Sequence, residues 1–127
     1  MPFEFSESGE FYHIRLFGQL TNADLLRLMA TVREAEEIAV KSLDRILDTG
    51  DVEKFDIDFS HVVAFTGQRR IMPLKNPIKT AIVVHREVAL GIARMFQSLN
   101  DHPLITIRVV NSLLEAGAWF AARDEKA

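Results

Sequence analysis

The stretch Ile78-Lys79-Thr80-Ala81-Ile82-Val83-Val84-His85, running directly into Arg86 to Asn100, constrains this chain more than any other. Ala81 to Val84 is an unbroken apolar run rich in β-branched side chains, short enough to be a strand covered on both faces. Beyond it, Val88, Ala89, Ile92, Ala93, Phe96 and Leu99 recur at the three-and-four spacing of one helix face. A buried strand feeding an amphipathic helix is the repeating unit of an α/β domain. The flanking segments read as further copies of that unit or as its edge.

How many such units fit is a matter of length. A chain of 127 residues makes one domain, able to bury about two thirds of the surface its unfolded form exposes. Neither a linker nor a repeat nor a low-complexity segment divides it, so residues 1–127 are read as a single domain. The formal charge of −3 speaks against a nucleic-acid binder, which carries a basic stripe. With no cysteine, disulfides, thiolate zinc sites and a cysteine nucleophile are excluded. Glu4, Glu7 and Glu10 stand where a signal peptide would be basic, and no run reaches the ~20 apolar residues of a membrane span. A cytoplasmic location is expected, with peripheral membrane contact as its variant.

Taken in order, Phe3-Glu4-Phe5 alternates as a short first strand, and Ser6 to Gly9 supplies a turn. In the second strand, Glu10 to Phe17, Tyr12, Ile14 and Leu16 share one face. Gly18 releases the backbone, and Thr21 with Asp24 forms a capping box for the first helix. Leu25, Leu28, Met29, Val32, Ala35 and Ala39 give that helix its buried stripe, with Arg33, Glu34, Glu36 and Glu37 on the solvated side. Leu43 to Asp48 is a third strand, whose acidic end opens a loop from Thr49 to Lys54. Phe55, Phe59, Val62, Val63 and Thr66 then repeat at helical spacing, stopped before Pro73. After the third helix comes an edge strand, Leu104 to Val110, with Thr106 and Arg108 on a wet face. Ser112 and Glu115 cap a last helix that buries Ala116, Trp119 and Phe120.

The order β-β-α-β-α-β-α-β-α is thus carried by Tyr12 to Gly18, by Ile46-Leu47-Asp48 and by Lys79 to Val84 with Gly91 to Phe96. Ile107-Arg108-Val109 with Glu115-Ala116 and Trp119-Phe120 completes it. From about Tyr12 to Phe120 it resembles the SpoIIAA-like branch of the STAS superfamily, the fold of the anti-sigma-factor antagonists. The resemblance implies a mixed sheet of about five strands with four helices, mainly on one face; serine, histidine and aspartate are scattered without a nucleophile–base spacing, so no catalytic activity and no cofactor are expected. Its departure is equally informative. Where the antagonists carry Asp-Ser-Ser-Gly with a phosphorylatable serine, this chain reads Phe55-Asp56-Ile57-Asp58-Phe59. Ile57 has no hydroxyl to accept phosphate, so no serine switch is expected there. The branch implies instead a module that binds an apolar ligand or a membrane surface, by analogy with lipid-transfer domains of CRAL-TRIO type. A protein–protein regulatory module without the serine is the alternative, and a homodimer is compatible with either.

Two groups of residues are candidates for a site. Asp48, Asp56 and His85 lie near predicted strand ends, where open α/β sheets place clefts. Asp48 and His85 with Asp51 or Asp56 have the chemistry of a His-plus-carboxylate metal site, although caps and turns use the same residues and no metal is expected. The second group is Phe65 to Lys79, which holds Arg69, Arg70, Lys75 and Lys79 with no acidic residue, interleaved with Phe65, Met72 and Leu74. Cations among apolar side chains suit an anionic membrane surface, provided that they face it together. Packed under a loop, the same residues would mean nothing of the kind.

Overall fold

The computed structural model describes residues 2–122. Its first elements are an antiparallel hairpin, β1 (Phe3–Ser8) and β2 (Phe11–Thr21), turned at Gly9 with a positive φ of 65°. Then follow α1 (Asn22–Ile38), β3 (Asp44–Asp56), α2 (Phe59–Ile71), β4 (Ile78–Val83), α3 (Glu87–Leu99), β5 (Ile105–Val110) and α4 (Leu113–Ala121). The five strands form one sheet in the order β1-β2-β3-β4-β5, parallel from β2 onward. This is the expected element order and strand count.

The topology dictates where the helices go. Each of the three parallel crossovers steps one strand in the same direction, and such crossovers are right-handed. Identical steps of one hand bring α1, α2 and α3 onto the same face. The strand parity shows this: Ile14, Leu16, Leu47, Thr80 and Ile82 point toward those helices. The alternate residues Ile46, Ala81 and Val83 pack with Val110 and Ala116, so α4 covers part of the opposite face. Ala81 to Val84 is buried on both faces, as its composition requires.

Several expectations are corrected. β2 does not stop at Gly18 but runs through it to Thr21, with register shifts against β3 on either side and a φ of 70° at Gly18. Glycine there lets the strand bulge and continue. The loop drawn from Thr49 to Lys54 is strand: β3 reaches Asp56, because the prolonged β2 pairs with Asp51 to Asp56 beyond the point where pairing with β4 ends at Asp48. Phe55 therefore belongs to β3, and Asp58 caps α2, accepting from the His61 amide at 3.0 Å.

Burial along the helices also departs from expectation. Glu36 is buried on α1, opposite the solvated placement expected for it. The inward stripe continues from Val32 to Glu36, four residues on, and Ala35 is only half-buried. Val88 likewise leaves the inward face of α3, where Ala89 and Ala93 carry the burial. Trp119 is half-buried, with Lys79 and Arg108 over its ring, and is not a core residue.

Candidate functional site

Between the sheet and α1–α3 lies a partly open cavity of about 120 Å³. Its wall is predominantly apolar: Ile14, Leu28, Leu47, Phe65, Ile82 and Ala93 come from six different elements. Small side chains on α3 make the room. Ala89 and Ala93, both buried, stand where larger residues would reach the sheet. Phe65 on α2 meets Phe96 on α3 edge-on, with ring centres 5.4 Å apart and planes at 88°, so these two rings clasp the helices over the space.

One end of the cavity is charged. Arg45 on β3 lies within the wall, its guanidinium paired to Glu36 and donating from Nη2 to the Leu43 carbonyl at 2.6 Å. Arg69 on α2 takes the same carboxylate from the other side, Nη1 to Oε1 at 3.0 Å and Nη2 to Oε2 at 3.2 Å. Burial pushes the Arg45 pKa down, against the pull of Glu36. A guanidinium stays cationic regardless. Arg45 Nε is buried and has no hydrogen-bond partner among the described residues. Outside the cavity, the exposed Lys75 donates its ammonium to the carbonyls of Glu36 at 3.1 Å, Glu37 at 3.4 Å and Ala39.

The basic segment from Phe65 to Lys79 is therefore not one surface. Phe65 and Arg69 face the cavity, and Met72 is buried beneath the end of α2, where His102 Nε2 lies 2.8 Å from its carbonyl. Leu74 is half-buried in the turn that follows. Arg70 is exposed and pairs with Asp101 at 3.1 Å. Lys75 caps the C-terminus of α1, and Lys79 caps that of α4 on the opposite face, reaching the Trp119 carbonyl at 2.8 Å and Ala122 at 3.1 Å. The condition that all four cations point one way is not met, because Lys79 alternates along β4 with Thr80, which lines the cavity, and so points to the opposite face of the sheet.

Asp48 and His85 do approach each other, flanking Gly50 so closely that a Cβ there would lie 3.0 Å from the His85 ring and 3.2 Å from Asp48 Oδ1. They sit on the face away from the cavity, and Asp48 lies mid-strand, accepting from the Gly50 amide at 3.0 Å with His13 Nε2 3.8 Å away. Asp51 is exposed and pairs with Arg15 at 3.0 Å. Asp56 is at the far end of β3, ~25 Å along the strand, near Gln19. Among the described residues no three potential metal ligands cluster.

Sequence reasoning missed Arg45, Glu36 and the α1 side of the cavity. The signal was present in the periodicity: Arg45 alternates between Leu43 and Leu47, and Glu36 extends the Leu25-Leu28-Met29-Val32 stripe.

Similarity to known proteins agrees with this architecture. The fold is SpoIIAA-like. A solved structure of an uncharacterized DUF3478-family protein from Shewanella loihica PV-4, described as having that fold, superposes with a TM-score of 0.59. The two share 14% identity, and the match covers 92% of this chain and 90% of the other. No family model and no curated protein matches the sequence. Among the described residues no helix is long and apolar enough to cross a membrane.

Proposed function

We propose that this STAS-like module is a non-catalytic receptor for a small apolar molecule, held between the sheet and α1–α3. The observation that carries the reading is the cavity itself. A native interior is packed with few voids larger than water, so a space of this size and lining is a feature of the design. A cavity of roughly 150 Å³ lined by aliphatic and aromatic groups admits a benzene ring, and this one is of that order. The far-side pair Asp48 and His85 shares no space with it, which favours binding without chemistry at those residues. Docking of Phe65 to Lys79 on an anionic bilayer has less to draw on, since three of its four cations are spent on Glu36 and on helix C-termini.

Toluene is a suitable probe. At ~0.6 kcal/mol for each of its heavy atoms it would bind with a Kd of about 1 mM. Methyl NMR of the wild-type protein should then show saturable shifts confined to Leu, Ile and Val residues of the wall. Ala93→Phe, which fills the space, should abolish them. Absence of saturable shifts in the wild type, or shifts scattered over the surface, removes the reading.

A further inference from the structure

Resting on the cavity reading, we infer that the occupant is a compact apolar monocarboxylate whose carboxylate accepts the free Nε–H of Arg45 at the charged end. Several observations converge on an anion there. The buried cluster holds two guanidinium groups, Arg45 and Arg69, and a single carboxylate, Glu36. Arg45 and Glu36 are 3% and 4% exposed at the side chain and Arg69 is 12% exposed, so solvent does little to offset the surplus positive charge. The nearest acidic neighbours on the same helix, Glu34 and Glu37, are exposed, and Tyr12 presents its ring to Arg45.

The hydrogen-bond inventory selects the same atom. Both terminal nitrogens of Arg45 are engaged, by Glu36 and by the Leu43 carbonyl, and Nε is its one nitrogen without a partner among the described residues. Of the other polar groups of the wall, Thr49 donates to Val83, Thr66 to Val63 and Asn100 to Ile105, and Arg69 is paired to Glu36. A buried charged donor without an acceptor is costly, and a ligand carboxylate supplies acceptor and counter-charge together. The apolar body then occupies the rest of the cavity. Its size limits that body to about one ring or a short chain.

Calorimetric or NMR titration at pH 7 compares benzoate, its neutral isostere benzamide, and toluene, with hexanoate as the unbranched alternative. Benzoate or hexanoate should bind at least tenfold more tightly than benzamide. Arg45→Met should erase that preference while toluene still binds. Glu36→Gln, which removes the competing carboxylate, should instead tighten benzoate severalfold, and this opposite sign decides the matter if Arg45→Met does not fold. A wild type that binds toluene but prefers neither acid overturns the inference and leaves the cavity reading standing. Unchanged or weaker benzoate binding in Glu36→Gln also overturns it. No binding of any probe removes both.

Discussion

At the scale of single residues, helix starts carry much of the local order. Asp24 is buried, which by itself would raise its carboxyl pKa, yet hydrogen bonds from the Thr21 amide at 2.8 Å and hydroxyl at 2.9 Å and the charge of Arg27 bring it below its ordinary value. Asp58 is exposed and held by His61 and Ser60, which lowers its pKa from 3.8 to about 2. A depressed carboxyl stabilises the fold above its unfolded pKa and loses that contribution as pH falls through the folded one. Replacing Asp58 with Ala should therefore destabilise the protein at pH 7, and the gap from wild type should close between about pH 4 and pH 2. Urea unfolding across that range checks it; a constant gap would refute the assignment. Glu36 gives a sharper case. Glu36→Ala strands the Arg45 guanidinium in the interior and should cost about 3–5 kcal/mol. Arg69→Ala leaves Arg45 and Glu36 paired and should cost clearly less in the same assay.

At the scale of elements, two glycines with different roles make opposite predictions. Gly18 has a left-handed backbone at the β2 bulge, and a Cβ there would touch nothing. The strain of Gly18→Ala is thus purely conformational, about 1–2 kcal/mol. Gly67 sits inside α2 with open space where its Cβ would be. There Gly67→Ala should stabilise by about 0.5–1 kcal/mol, because the helix regains propensity at no steric cost. Denaturant midpoints for the two variants should move in opposite directions from wild type. The capping box at Thr21 and the Ser112 cap were legible in the sequence because a cap is a contact between neighbours. The outer half of β3 was not, because Asp51 to Asp56 is strand only by virtue of its pairing with β2.

At the scale of the whole molecule, the sheet has a thick middle and a thin corner. Residues 45–48 of β3 pair with β2 and β4, whereas residues 51–56 pair with β2 alone, anchored by Arg86 to the Val52 carbonyl. Amide exchange should accordingly be slowest in Ile46, Leu47, Ala81 and Ile82 and distinctly faster in Val52 to Asp56. Equal protection across β3 would show that the corner opens only with the global unfolding of the sheet.

The sequence by itself determined the element order, the doubly covered strand at Ala81 to Val84 and the amphipathic helix behind it. These follow from periodicity and composition within a window of a few residues. It also carried the SpoIIAA-like pattern. Only the tertiary structure decided which charges face inward. Periodicity puts Glu36 and Arg45 at inward positions while their charge argues for the surface, and no local window shows the partners that resolve the conflict. Burial becomes tolerable only when the two guanidiniums share the Glu36 carboxylate, and that pairing exists only once α1, β3 and α2 have been brought to one face of the sheet. The cavity has the same origin: its volume is what α1, α2, α3 and the sheet leave unfilled, a quantity no local window contains.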